Sequence, residues 1–209
     1  MKEKRAVCIC ASDIQNSQGG NIPERICEIL RGAFARGGCA AETLDLRDYS
    51  LLPCDGCGGC SGACARWEEN EKGISGGMRH EQERCVRDRD FNRLYATAGK
   101  ADFLFFVSPH HAPIPARLCM FLEKIRQLAV LPGWRDPSYR PGLSGRLSGI
   151  ISYGAAGEGA LMNDKAMVND TIADALGSAR VKVVPFNSRW NTGISLPACG
   201  VTAGEGGLP

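Results

Sequence analysis

Short apolar segments alternate with longer amphipathic segments along this chain, and that alternation constrains its fold more than any other feature. Between the apolar segments, hydrophobic residues recur at helical spacing, as in the segment that opens at Ile22 and stops at Gly37-Gly38. Strands that alternate with helices predict a parallel sheet with crossover helices. The predicted strands are 5–10, 40–46, 102–108, 147–153 and 181–186, and the predicted helices are 22–36, 88–100, 114–130 and 163–176.

Five strands in this order fit an α/β fold, a flavodoxin-like doubly wound sheet of five parallel strands. Residues 1–187 are predicted to form a single domain, with a cysteine-rich segment, 52–88, inserted after the second strand. Residues 188–209 are Gly-rich without a clear period, so we expect a C-terminal tail there. Ligands of such sheets bind beyond the carboxyl ends of the strands, which makes the loops at those ends the candidate site.

Three loops with small or polar residues follow the predicted strand ends. The first, 11–22, is rich in hydroxyls, amides and Gly and ends at a helix N-terminus, where backbone N–H groups can hold a phosphate. The second, 108–113, contains His110-His111, whose side chains diverge in an extended segment, so a metal site is not expected there. The third, 152–159, has small residues that leave room for a planar ring. Neither G-x-G-x-x-G nor a P-loop sequence follows the first strand, which argues against a dinucleotide-binding fold and against a P-loop nucleotide-binding fold.

Four cysteines fall close together at Cys54, Cys57, Cys60 and Cys64, in the C-x2-C-x2-C-x3-C spacing of bacterial ferredoxins. Glycines between them let the backbone wrap tightly and point amide groups at sulfur. The spacing predicts that Cys54, Cys57 and Cys60 bind a 4Fe–4S cluster. A zinc knuckle and disulfides are the alternatives. The fourth ligand is open at this point between Cys64, which completes the run, and Cys85, which stands farther along the chain.

Composition indicates a reducing, cytoplasmic setting. The chain has 11 cysteines, an odd number that cannot all pair within one chain. Its apolar N-terminal stretch, 6–10, is shorter than the h-region of a signal peptide or a membrane span, so no membrane association is expected. With 25 Lys and Arg against 23 Asp and Glu, the net charge of +2 gives no reason to expect a nucleic-acid partner.

The sequence resembles the iron–sulfur flavoprotein family, within the NADPH-dependent FMN reductase (flavodoxin-like) superfamily, over residues 5–186. That family has a phosphate loop ending in Gly-Asn-Thr, a C-x2-C-x2-C run, a later Cys followed by an apolar residue and acids, and an Ala-Asp-apolar strand ending in Ser-Pro. The matching residues here are Gly20-Asn21-Ile22, Cys54, Cys57 and Cys60, Cys85-Val86-Arg87-Asp88, Ala101-Asp102-Phe103 and Ser108-Pro109.

The resemblance implies a redox flavoprotein that passes electrons between a 4Fe–4S cluster and FMN, with ferredoxin or NAD(P)H as donor, in a homodimer or homotetramer. It favours Cys85 over Cys64 as the fourth ligand, and no second cysteine run exists to host another cluster. No side chain is nominated as a catalytic acid or base. The predicted FMN contacts are Ser12, Gln18, Gly20, Asn21, Ile22, Pro109, His110, His111, Ala112, Pro113, Tyr153, Gly154 and Gly157.

Two other functions remain open. One is an NAD(P)H-dependent FMN reductase whose cysteines bind structural zinc. The other is a non-catalytic flavodoxin-like binding module, because the family's Arg in the first loop is Ile14 here, beside Asp13. The sequence also departs from the family in having His111 where an aromatic residue is usual, and in lacking the family's Asp-Arg pair near Glu123-Lys124.

Overall fold

The structure is a computed structural model that describes residues 3–11, 22–61, 83–110, 114–154, 166–184, 186–187 and 191–197. Its helices are α1 (Ile22–Arg36), α2 (Arg89–Gly99), α3 (Ala116–Arg135) and α4 (Thr171–Ser178), the last preceded by a π-helical turn, Ala166–Asp170. Its strands are β1 (Lys4–Cys10), β2 (Cys39–Asp45), β3 (Phe103–Pro109), β4 (Leu147–Gly154), β5 (Lys182–Val183), β6 (Phe186–Asn187), β7 (Asn191–Thr192) and β8 (Ile194–Pro197).

The main sheet has the strand order β2-β1-β3-β4-β5, and every neighbouring pair along it is parallel. This is the order of flavodoxin-like doubly wound sheets, in which the chain reverses direction of winding between β1 and β3. The predicted fold class is therefore confirmed. The sheet also fixes the place of the candidate site, because the carboxyl ends of β1, β3 and β4 meet at one edge.

Two apolar layers cover the sheet because successive side chains of each strand point to opposite faces. Leu104 and Phe106 of β3 belong to the larger core, whose helical residues come from α2, α3 and α4. Phe105 and Val107 belong to the layer under α1. The apolar residues of α1 that recur at helical spacing include Ile26, which is buried, but also Ile29, which is 59% exposed and does not pack on the sheet.

The last predicted strand, 181–186, is interrupted in the structure. Only Lys182–Val183 pair with β4; Phe186–Asn187 leave the sheet and pair antiparallel with Asn191–Thr192. Ile194–Pro197 then return and pair in parallel with the second half of β4. Part of the segment expected as a tail thus extends the sheet at its carboxyl edge. Four residues are too few to show a strand period, so no sequence pattern indicated β8.

Gly193 makes the turn into β8 possible, and its replacement is expected to be costly. Its φ is +70°, and a Cβ there would lie 2.5 Å from the carbonyl oxygen of Ile150. We expect Gly193→Ala to lower the free energy of unfolding by at least about 2 kcal/mol in urea titrations, from backbone strain and steric overlap. Gly99→Ala is the matched control, since a Cβ there meets nothing within 4 Å. Equal midpoints for the two variants would contradict the described turn.

Element ends differ slightly from the prediction. Helix α3 runs on to Arg135 and includes Pro132 in its last turn, past the predicted end at residue 130. The start of the predicted helix 163–176 lies outside the described residues, and the α-helical part is Thr171–Ser178. Within the described ranges, no helix combines the length and apolar character needed to cross a membrane.

Candidate functional site

The ends of three parallel strands form one edge of the sheet, as the sequence predicts. The N–H of Ala11 donates to the carbonyl of Val107 at 2.8 Å, which aligns the ends of β1 and β3. Pro109 stands opposite Tyr153, and the N–H of His110 donates to the carbonyl of Tyr153 at 2.7 Å. The backbone leaving β1, β3 and β4 therefore reaches the same rim.

Five predicted FMN-contact residues are described, and all are near this rim. Pro109, His110, Tyr153 and Gly154 are at the ends of β3 and β4, and Ile22 begins α1 and packs on the cluster that contains Tyr153. The other predicted contacts lie outside the described residues: Ser12, Gln18, Gly20, Asn21, His111, Ala112, Pro113 and Gly157. Contact with FMN stays a prediction for all of them.

A residue that the sequence analysis missed joins this rim. The Oγ of Ser195, on β8, lies 3.1 Å from Nε2 of His110. Gly154 has φ of +135°, and a Cβ there would approach Cβ of His110 to 3.1 Å, so the histidine packs against this glycine. Only the unforeseen return of the chain at β8 brings Ser195 to this edge.

A second candidate site is a cavity of about 570 Å³ between the segment after β2, the segment before α2, and α3. Its lining includes all four cysteines predicted as ligands: Cys54, Cys57, Cys60 and Cys85. Cys64 lies outside the described residues. The apolar floor comes from α3 at Leu128 and Leu131. Cys85 thus lines the same cavity as the cysteine run, and its role as a metal ligand stays a prediction.

Glycines shape the cysteine run locally. Gly56 and Gly58 both have positive φ, 68° and 70°, which only glycine adopts at little cost. They turn the backbone on both sides of Cys57, and a short 3₁₀ turn, Gly59–Ser61, follows. With these turns, Cys54, Cys57 and Cys60 all line the same cavity.

The thiols of this cavity influence one another. Burial, followed by the proximity of Cys54, Cys57 and Cys85, raises the pKa of Cys60 to about 11. This thiol is therefore protonated near neutral pH in the metal-free chain. A thiophilic metal must displace the proton, so its affinity for the cavity is expected to rise with pH.

The spacing of these thiols bears on what the cavity could bind. Among the described residues, no three His, Cys, Asp or Glu side chains are placed to hold one metal ion. All nine described cysteines are free thiols, so the disulfide alternative finds no support in the described ranges. A metal centre at these cysteines therefore stays a prediction.

The chain matches a known protein family. The family model for NADPH-dependent FMN reductase matches residues 5–182. Comparison with curated proteins found no match. The match confirms the superfamily that the sequence resembles and the FMN-dependent oxidoreductase class, while the iron–sulfur part of the prediction is not tested by it.

Solved structures share the fold at low identity. RosB, solved with the bound intermediate 8-demethyl-8-formylriboflavin-5'-phosphate, is 14% identical with a TM-score of 0.58, covering 98% of this chain and 68% of RosB. An oxidoreductase from Corynebacterium diphtheriae is 16% identical with a TM-score of 0.53, covering 99% and 86%. An azoreductase from Bacillus anthracis is 14% identical with a TM-score of 0.51, covering 92% and 85%. At these identities the likeness supports the fold alone.

Proposed function

The chain belongs to the NADPH-dependent FMN reductase family, and from that premise we propose that it is an oxidoreductase that binds FMN at the rim of β1, β3 and β4 and takes electrons from NAD(P)H. The family match over residues 5–182 carries this proposal. The alignment of the three strand ends supports it, because FMN-binding flavodoxin-like sheets hold their ligand at the β1/β3 reversal.

Different residues of the rim would bind different parts of FMN. The loop before α1 would hold the phosphate with backbone N–H groups and the positive end of the helix dipole. Tyr153 and Gly154 would border the flavin ring, and the Ser195–His110 contact would fix the backbone after β3. Bound FMN supplies hydride acceptance and one-electron transfer. Ferredoxin as an alternative donor remains a proposal from the resemblance.

FMN should be recoverable from the purified chain. After anaerobic purification and heat denaturation, we expect the supernatant to contain FMN, identified by chromatography and fluorescence. NADPH or NADH should bleach the flavin absorbance of the intact protein, because the reductase accepts hydride from one of them. Only FAD, or no flavin even after reconstitution with excess FMN, would contradict the proposal and leave the non-catalytic binding module.

We further propose that Cys54, Cys57, Cys60 and Cys85 hold a 4Fe–4S cluster, which would exchange single electrons with the flavin. Their position around one cavity supports the ligand set. The family is that of NADPH-dependent FMN reductases, so membership supports a simple FMN reductase more directly than cluster-to-flavin transfer, and it bears on neither iron nor zinc.

Elemental analysis separates these functions. A brown protein with iron and acid-labile sulfide supports the cluster, whereas a yellow protein with zinc supports the reductase with a structural metal. A colourless protein without flavin after reconstitution supports the binding module.

Size measurement in solution tests the proposed homodimer or homotetramer. The free thiols of the nine described cysteines suit the reducing cytoplasm, which we propose as the location.

A further inference from the structure

The first turn of α2 forms hydrogen bonds with both stretches of chain that carry the cysteines. We call residues 52–60 the first cysteine segment and residues 83–87 the second. Asp88 follows the second segment directly and caps α2, where its Oδ1 accepts the N–H of Phe91 at 2.8 Å. Asp88 is only 2% exposed, and it lines the cysteine cavity. A charged group so deeply buried must be compensated by partners.

Those partners connect Asp88 to the first cysteine segment and to α3. Its Oδ2 accepts the N–H of Leu52 at 2.9 Å and lies 2.8 Å from Nζ of Lys124. Lys124 also donates to the carbonyl of Leu52, which closes a ring of hydrogen bonds. Burial alone would raise the pKa of Asp88, but the bonds from Lys124, Phe91 and Leu52 hold it below its ordinary value. The carboxylate is therefore charged at neutral pH.

Asn92, one turn farther along α2, holds the backbone of the second cysteine segment. Its Oδ1 accepts the N–H of Cys85 at 2.7 Å, and its Nδ2 donates to the carbonyl of Cys85 at 2.8 Å. Two bonds to the same residue fix the orientation of its peptide planes. They thereby fix the direction in which the thiol of Cys85 leaves the backbone.

Other ties between the segments are weaker. Asp55 and Arg87 form an ion pair that joins the two segments directly, but their side chains are 45% and 64% exposed. Solvent-exposed ion pairs contribute little to stability. Glu123 of α3 accepts the N–H of Cys54 at 3.2 Å, near the upper limit of such a bond. The buried contacts of α2 are the strongest link between the segments.

We propose that Asp88 and Asn92 are positioning residues of the cysteine site: they hold the four thiols toward one cavity before any metal binds. This inference rests on the proposed metal-binding function of the cysteines. Groups that orient metal ligands typically affect metal affinity by about 10–100-fold. Here they act on the ligands' backbone, so the arrangement should exist in the metal-free chain.

The thiols themselves can report this arrangement without any metal. Dibromobimane alkylates thiols and fluoresces when it bridges two of them, each sulfur displacing one bromide. In the metal-free, reduced full-length chain, we expect peptide mapping to find bridges between Cys85 and a cysteine of the first cysteine segment. The yield should fall about tenfold in Asp88→Asn and in Asn92→Ala, by the same loss of orientation that weakens metal binding.

The variants are chosen to keep helix α2. Asn is a good N-cap, so Asp88→Asn preserves the bond to Phe91 through Oδ1, while the Nδ2 that replaces Oδ2 can accept from neither Leu52 nor Lys124. Asn92→Ala favours helix and removes only the bonds to Cys85. The matched control is Asp102→Asn at the amino end of β3, where the carboxylate accepts the N–H of Arg5 at 3.0 Å, away from the cavity. Its bridging yield should equal that of the wild type.

Reconstitution with iron and sulfide then tests whether the orientation of the thiols determines metal binding. We expect Asn92→Ala to retain FMN and its unfolding temperature better than it retains iron, whereas Asp88→Asn, which leaves buried Lys124 without its anion, should lower the unfolding temperature as well. Unchanged bridging in both variants would overturn the positioning role. Loss of bridging in the variants, with a wild type that takes up neither iron nor zinc, would support the positioning role while refuting the proposed metal centre.

Discussion

Replacing Cys85 by alanine is expected to remove the proposed 4Fe–4S cluster almost entirely, whereas Cys64→Ala is expected to leave it intact. Cys85 lines the same cavity as Cys54, Cys57 and Cys60, and its backbone is held there by Asn92. A 4Fe–4S cluster that loses one of four thiolates is exposed to solvent at one iron and loses iron readily. Iron and sulfide content of the anaerobically purified variants, with low-temperature electron paramagnetic resonance of the reduced protein, measures the effect.

Cys119→Ala is the matched control for this pair, because Cys119 is an exposed free thiol on α3 that does not line the cavity. It should retain full metal content. Cys57→Ala, in the middle of the run, should lose most of the iron as Cys85→Ala does. An unaltered resonance in Cys85→Ala, together with its loss in Cys64→Ala, would assign the fourth ligand to Cys64 instead.

The sequence predicted much of the fold because its local signals agree with its long-range ones. The short apolar segment 102–108 predicted β3, and the glycine pair 37–38 marked the end of α1. The late strands were predicted only in part, since the predicted strand 181–186 covers β5 but not the break after it or β7 and β8. β5, β6 and β7 have two residues each and β8 has four, so pairing and not local periodicity makes them strands: β5 and β8 pair with β4, and β6 pairs with β7.

The candidate ligands of the cysteine site could be predicted from the sequence, but the residues that hold them in place could not. Cysteine spacing and a resemblance were enough to nominate the four thiols that share one cavity. The groups that hold them could not be read in the same way. Asn92 and Lys124 have ordinary positions on helices in the sequence, and their partners lie 7 and 36 residues away. Such contacts depend on how α2 and α3 pack, which no local pattern specifies.

The buried ion pair between Lys124 and Asp88 should make Lys124→Met the most destabilising single change in this region. The side chains are 5% and 1% exposed, and Lys124 also lies over the ring of Phe91, 5.6 Å from its centroid. Removing the cation leaves a buried carboxylate with backbone partners alone. We expect a loss of about 3–5 kcal/mol in the free energy of unfolding at pH 7, measured by urea titration of the metal-free chain.

Arg126→Met is the matched control, two positions along the same helix. Arg126 is 59% exposed and lies 3.9 Å from Asp174, so its removal should change stability by no more than about 0.5 kcal/mol. The double variant Asp88→Asn with Lys124→Met should recover part of the loss, because it removes the unpaired charge. Equal losses for Lys124→Met and Arg126→Met would show that the buried pair is not formed.

The loss caused by Lys124→Met should also depend on pH, in a direction that identifies Asp88 as the group left unpaired. In the wild type the pKa of Asp88 is lowered, so its contribution to stability is present above its unfolded pKa of about 4 and disappears as the pH falls. In the variant, burial without the Lys124 cation should raise that pKa above the unfolded value, so the variant loses stability as the pH rises. The difference between the two proteins should therefore be largest above about pH 6 and shrink toward pH 4. A difference that stays constant across this range would mean that the destabilisation comes from packing and not from the buried charge.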